Sequence, residues 1–311
     1  MTEIDLSVEL CGVRLRNPFI LAAGVLGTTA ALLERVARGG AGAVTTKSCG
    51  LQPRRGHPNP TVLPWEGGLI NAVGLANPGA TAMVDILAEA RRRLAPLGVP
   101  LIASVFAEEA SAFGEVVRIL DQAEPDLFEV NISCPNVAEE FGLPFAADPV
   151  QAARATAAVR AATRRPVIVK LSPNVADICA VGRAVVDAGA DALAAINTLG
   201  PGMLIDIRAR APILANRTGG LSGPAIRPVA VRCVYELSRV VSVPIIGTGG
   251  VTTGEDAVEM IMAGATAVGV GSAFYQRGMG VLEAMAAEMR AFMAEQGFGC
   301  VSAMRGLAHG A

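Results

Sequence analysis

Two side chains stand out by their rarity. Of the 26 Lys+Arg in this chain, only Lys47 and Lys170 are lysines. Arginine serves wherever a surface cation is enough. A lysine kept against that bias points to a place that needs a compact ammonium rather than a planar guanidinium, with chance retention as the alternative. Each ends a short apolar run, Ala43–Ser48 and Pro166–Ser172. Cys134 is the third candidate. It follows the apolar run Leu127–Ser133 in Asn-Ile-Ser-Cys-Pro-Asn, where a thiol can act as nucleophile or proton acceptor; the plain alternative is a small packed side chain. Asn131, near the end of that same run, and Asn197, near the end of another, offer donors and acceptors suited to an imide or pyrimidine ring. Gly249-Gly250 and Gly271-Ser272 close the last two runs. Backbone N–H groups with no side chain in the way can cradle a phosphate there, although tight turns also use glycine.

The remaining chemistry-bearing residues exclude more than they offer. The six cysteines fall at 11, 49, 134, 179, 233 and 300, with no CxxC pair, so zinc-finger and iron–sulfur spacings are absent. With only His57 and His309 available, a histidine-rich metal site is ruled out and a Ser-His-Asp triad would have to use one of these two. A net charge of -2 gives no general attraction for nucleic acid or anionic lipid. No apolar stretch reaches the length of a membrane span, and Met1 to Asn17 lacks the apolar centre of a signal peptide. Scattered cysteines in a chain that is 52% hydrophobic and 17% charged read as reduced and cytoplasmic.

These candidates must be positioned by a repeating framework. Eight short runs rich in Val and Ile, as buried parallel strands are, alternate with stretches of helical period: Pro18–Ala23, Ala43–Ser48, Pro100–Phe106, Leu127–Ser133, Pro166–Ser172, Ala192–Thr198, Pro244–Gly250 and Ala267–Phe274. Thr81–Leu94, Val150–Ala162, Val175–Ala188 and Glu255–Ala263 show the 3.6-residue period. This alternation predicts an α/β fold, a (β/α)8 barrel forming one domain over residues 1–311. Leu6–Leu10 and Val13–Arg16 read as a small hairpin closing the barrel bottom. A doubly wound sheet is the rival, but the first run leads into Ala-Gly-Val-Leu-Gly rather than a dinucleotide fingerprint. Barrel sites form at the C-terminal strand ends. Read in order, those ends are Ala23-Gly24, Lys47-Ser48, Ser104, Asn131 to Cys134, Lys170, Asn197-Thr198, Gly249-Gly250 and Gly271-Ser272. None carries Asp or Glu, which argues against paired-carboxylate hydrolysis and metal-assisted chemistry. An ammonium beside the carbonyl edge of a flavin would stabilise the reduced ring.

Four runs in order along the chain resemble class 1 dihydroorotate dehydrogenases: Thr45-Thr-Lys-Ser48, Asn71-Ala-Val-Gly-Leu-Ala-Asn-Pro-Gly79, Asn131-Ile-Ser-Cys-Pro-Asn136 and Gly219-Gly-Leu-Ser-Gly-Pro-Ala-Ile226. The last of these and Pro244-Ile-Ile-Gly-Thr-Gly-Gly250 are most similar to the class 1B catalytic subunit. The resemblance implies an FMN-containing barrel that oxidises dihydroorotate to orotate in pyrimidine synthesis. It implies NAD as final acceptor, reached through a partner carrying FAD and a [2Fe–2S] cluster, in a heterotetramer built on a homodimer. It also implies roles. Cys134 is the base that takes the C5 proton. Lys47 contacts both orotate and FMN, as does Asn131. Asn71, Ala72, Val73, Gly74 and Leu75 cover the substrate and face its carboxylate. Asn197 and Thr198 complete the orotate pocket, with Asn136 a further contact. Lys170 and Ile196 lie along the flavin, joined by Ala23, Ser48 and Ser104, and Gly223, Gly249, Gly250, Gly271 and Ser272 hold the phosphate end. Ala23 replaces a common serine, Ser104 a frequent asparagine, and Glu139-Glu140 fall where related chains often have glycine and basic residues. Other readings are a flavin barrel reducing uracil or thymine, a non-redox barrel binding a phosphorylated metabolite, and an assembly subunit.

Overall fold

The computed structural model describes residues 4–132 and 145–310. Cys134, Asn136 and Glu139-Glu140 lie outside the described residues.

Each of the eight runs becomes a strand. In chain order they are Phe19–Leu21, Ala43–Thr45, Leu101–Val105, Leu127–Asn131, Val167–Leu171, Ala192–Ala195, Ile245–Thr248 and Ala267–Val270. Each pairs in parallel with the next, and the last pairs with the first, closing a barrel. Almost every residue of these strands is buried, which is why they read as continuous apolar runs rather than alternating ones. Helices wrap the outside and begin where capping chemistry allows. Thr29 caps Ala30–Arg38. Asp148 caps Pro149–Arg160, whose first residue is a proline with no N–H to lose. Asp177 caps Ile178–Asp187, so that helix starts three residues later than its apolar period suggests. Thr253 and Asp256 form a reciprocal capping box on Gly254–Met262.

The predicted hairpin is present as Val8–Leu10 and Val13–Leu15. Its Leu10 and Leu15 are fully buried among Ile20, Ala43, Ile102, Leu127, Ile168, Ala192, Ile246 and Ala267. Those are inward-facing residues near the strand starts, so the hairpin plugs the N-terminal end of the barrel. Burying two leucines there contributes about 3–6 kcal/mol of transfer free energy.

One sheet was not foreseen. Leu199–Gly202, Gly219–Ser222, Gly68–Asn71 and Val62–Trp65 form a four-stranded antiparallel sheet, drawn from the connections after the second and sixth barrel strands. Ile70, Ala72 and Leu214 make a small separate core beneath it. Ile205–Asp206 and Ala211–Pro212 add an exposed hairpin.

Candidate active site

The C-terminal strand ends and the antiparallel sheet enclose a cleft of about 1210 Å³ including its open mouth. It is lined by both lysines, Lys47 and Lys170, together with Ala23, Ser48, Asn71, Val73, Gly74, Leu75, Asn131, Ile196, Asn197, Thr198, Gly223, Gly249, Gly250, Gly271 and Ser272. Most of the expected residues therefore meet in one place. Two do not reach it. Ala72 is fully buried and turned into the core beneath the small sheet, because neighbouring residues of an extended segment face opposite ways. Ser104 is also fully buried, one layer below the cleft floor, and reaches it only through Ser48.

One end of the cleft is built from backbone. The N–H groups of Gly249, Gly250, Gly271 and Ser272 make no hydrogen bond to any described residue. They come from the ends of the adjacent seventh and eighth strands. Gly250 has φ of +75° and could not carry a Cβ without meeting the Arg227 Cβ at 2.7 Å. At Gly271 a Cβ would find nothing nearer than 3.8 Å, so the space beside its Cα is open. Four free donors on two neighbouring turns suit a phosphate monoester.

A second set lies across the cleft. The N–H groups of Val73, Gly74 and Leu75 have no partner among the described residues, and Gly74 and Leu75 both adopt positive φ, +72° and +56°. Successive amides in such a turn form an anion-binding concavity. Arg54 Nε holds the turn from behind by donating to the Gly74 carbonyl at 2.8 Å.

The lysines arrive by different routes. Lys170 sits in Val167–Leu171, 6% exposed, with no ion pair or hydrogen bond to the described residues. A buried ammonium with no acceptor among the described residues suits an acceptor on a ligand. Lys47 follows its strand, and its N–H donates to the Gly27 carbonyl at 2.8 Å. Ser48, Asn131 and Asn197 are linked: Asn131 Nδ2 donates to Ser48 Oγ at 3.1 Å, and Asn197 Nδ2 to Asn131 Oδ1 at 3.4 Å.

The described cysteines are packing residues. Burial pushes the Cys49 thiol up to about 12, and its Sγ donates to Gly50 and Asn77 oxygens. Burial, with help from the Asp191 charge, does the same for Cys11. Cys179 and Cys233 are raised chiefly by burial as well. Neither histidine lines the cleft.

Sequence reasoning missed Val62 and Leu69, which line the cleft from the small sheet, and Thr248 at the end of the seventh strand. It also missed Glu129, which is 5% exposed and accepts a hydrogen bond from Ser104 Oγ at 2.9 Å. Glu129 is two residues before Asn131 on one strand and so shares its face; a charge inside Leu-Phe-Glu-Val-Asn was the available signal.

A closed parallel barrel with backbone anion cradles and two ammonium groups at its C-terminal end is the frame of a phosphate-anchored flavin enzyme. The family model described as dihydroorotate dehydrogenase matches residues 5–293. Among similar proteins, one from Methanosarcina mazei is 50% identical over 305 residues, covering 98% of this chain and 95% of that protein. One from Methanocaldococcus jannaschii is 43% identical over 309 residues, covering 99% and 100%, and one from Pyrococcus furiosus is 43% identical over 305 residues, covering 98% and 99%. All three are named dihydroorotate dehydrogenase B (NAD(+)), catalytic subunit. The chain belongs to the dihydroorotate dehydrogenase family, within class 1B. It is an FMN-dependent oxidoreductase, and the unpartnered phosphate cradle and the Lys170 ammonium fit that cofactor. Among the described residues, no helix is long and apolar enough to cross a membrane.

Proposed function

We propose that this chain is the dihydroorotate-oxidising subunit of an NAD-linked enzyme, a single FMN-binding domain acting in the cytoplasm. The observation that carries the reading is one cleft lined by both lysines of the protein and by two separate sets of unpartnered backbone N–H groups. One set suits the cofactor phosphate. The other, Val73 to Leu75, suits the carboxylate of dihydroorotate. A barrel that reads uracil or thymine has no carboxylate to place there, and this favours the orotate reading over that alternative.

The residues take the following parts. Gly223, Gly249, Gly250, Gly271 and Ser272 hold the phosphate end of FMN, with Ala23, Ser48, Lys170 and Ile196 along the ring and Ser104 supporting Ser48 from below. Bound FMN supplies the hydride acceptor. Lys47, Asn131, Asn197 and Thr198 orient the pyrimidine ring, and Asn71 with the Val73–Leu75 turn closes over its carboxylate. Cys134, whose role comes from its motif, takes the proton from C5. A positioned base of this kind contributes about 10²–10⁴-fold.

The electrons then leave through another protein. This sequence has neither a dinucleotide fingerprint nor iron–sulfur cysteine spacing. A partner carrying FAD and a [2Fe–2S] cluster, in a heterotetramer around a homodimer of this chain, supplies both. Purified alone under anaerobic conditions, the chain should show the visible flavin band, lose it on adding dihydroorotate, and leave NAD unreduced. A colourless protein, or a flavin bleached by dihydrouracil and not by dihydroorotate, would overturn the reading. Efficient NAD reduction by the iron-free single chain would remove the partner from it.

A further inference from the structure

We infer that Asp256 is a positioning residue for the cofactor phosphate: its buried carboxylate clamps the turn that carries Gly249 and Gly250 onto the first residue of the helix Arg227–Ser238. The inference deepens the reading that seats the FMN phosphate on that turn, and rests on it.

Gly250, Val251 and Thr252 make no backbone–backbone hydrogen bond to the described residues. Burial of the Val251 side chain fixes where the turn lies. Hydrogen bonds, being directional, fix which way its peptide groups face. Asp256, 8% exposed, supplies most of them. Its Oδ2 accepts from the Thr252 N–H at 2.8 Å, the Thr252 hydroxyl at 2.7 Å and the Thr253 N–H at 3.0 Å. A capping box asks only for the last of these. The reach back to Thr252 is additional, and so is the use of the second oxygen. Oδ1 leaves its own helix and pairs with the Arg227 guanidinium, whose Nε also meets Glu259 Oε2 at 3.1 Å. One carboxylate thus grips the turn with one oxygen and the neighbouring helix with the other. Arg277 Nη1 donates to the Thr252 carbonyl at 2.7 Å, which leaves the N–H side of that residue to Asp256.

The parts clamped together are the cradle itself. Gly250 lies directly against the helix start: a Cβ there would meet Arg227 Cβ at 2.7 Å, and Arg227 N and Gly223 O at 2.8 Å. Gly223 lines the same end of the cleft. Pairing between the seventh and eighth strands stops at Thr248 and Gly269, so beyond it the sheet no longer sets the spacing of the two turns. A phosphate held by several donors at once needs all of them within hydrogen-bond reach together. A turn that drifts off Arg227 carries the Gly249 and Gly250 N–H groups out of step with those of Gly271 and Ser272. Charge alone works the other way. A carboxylate this close to the turn repels a phosphate seated on it, so neutralising Asp256 would tighten FMN if charge were its whole effect. The clamp and the charge therefore differ in sign.

The test uses the full chain, freed of cofactor and titrated with FMN and with riboflavin, which has the same ring and no phosphate. Quenching of flavin fluorescence gives both affinities. Asp256→Asn keeps the volume and loses the charge that holds Arg227. FMN affinity should fall about tenfold or more while riboflavin affinity stays within about twofold. In the FMN-loaded variant the phosphorus NMR signal should move toward that of free FMN while the visible flavin band keeps its shape. Thr252→Val removes one arm of the grip with no change of charge and should weaken FMN in the same sense, with Thr252→Ser restoring it. Should Asp256→Asn fail to fold, or riboflavin bind too weakly to measure, the Thr252 pair and its phosphorus signal decide alone. Unchanged or tighter FMN binding in Asp256→Asn, equal losses for FMN and riboflavin, or a Thr252→Val protein indistinguishable from Thr252→Ser would overturn the inference. Wild-type protein that holds riboflavin as tightly as FMN would instead defeat the phosphate reading beneath it.

Discussion

Replacing Lys170 with methionine should move apoprotein stability and cofactor chemistry in opposite directions. The side chain is 6% exposed, so its charge is poorly hydrated, and it has no acceptor among the described residues. Methionine has nearly the same length and no charge. Its substitution should relieve about 1–2 kcal/mol of desolvation, after allowance for water that enters the open cleft. In a protein of this size that corresponds to roughly 2–4 °C in the apoprotein Tm. With cofactor bound the sign reverses. On the proposed assignment of Lys170 to the flavin, its ammonium would donate a charge-assisted hydrogen bond stronger to the reduced ring than to the oxidised one, and losing that difference would cost about 1.5–3 kcal/mol. For a two-electron couple this lowers the flavin midpoint potential by about 30–65 mV. Thermal unfolding of the apoprotein and dye-equilibrated titration of the flavin measure the two effects separately. A potential unchanged in Lys170→Met, or an apoprotein destabilised as much as the loaded one, would refute the assignment of Lys170 to the cofactor.

Three further outcomes are expected. Gly250→Ala forces a left-handed conformation and a Cβ 2.7 Å from Arg227 Cβ, so FMN affinity, followed by quenching of its fluorescence, should drop at least about tenfold; an unchanged Kd would count against the phosphate cradle. Cys134→Ala should keep FMN while dihydroorotate-driven flavin reduction slows by about 10²–10⁴ in stopped flow, and Cys134→Ser should recover part of the rate only at high pH. The Cys49 and Cys11 thiols stand at about 12 in the fold against 9.0 for the free group, so their contribution is complete below pH 9 and is lost as pH rises toward 12. Tm should decline over that window, less steeply in Cys49→Ala; a flat profile from pH 9 to 11 would contradict the burial of these thiols.

The barrel was legible because a parallel strand covered on both faces must be apolar at every position, and a run such as Ala192–Ala195 leaves little else to read. The lysines were legible for a compositional reason, since arginine bias made their retention informative. The small antiparallel sheet was hidden because Gly-Gly-Leu-Ser and Leu-Gly-Pro-Gly lack the Val and Ile signal of a strand. Ala72 was assigned to the cleft with its neighbours because a motif has no facing; only the backbone turn shows that it points away. Scanning strand ends for carboxylates passed over Glu129, one inward position below Asn131. A strand end is a two-layer structure, and here only the upper layer, with Ser48 and Asn131, lines the cleft.

With its interior packed by side chains and Leu10 and Leu15 covering the far end, this barrel is a cup. A cup has one rim. Dihydroorotate enters over it, orotate leaves over it, and an electron acceptor can gain the flavin only at the rim or through the flank beside it. An acceptor that uses the rim shares a doorway with the reactant, and their visits must then alternate in time. An acceptor that docks over the same rim gives double-displacement kinetics, with orotate released before electrons depart, whereas one that docks on the flank allows both to be bound at once.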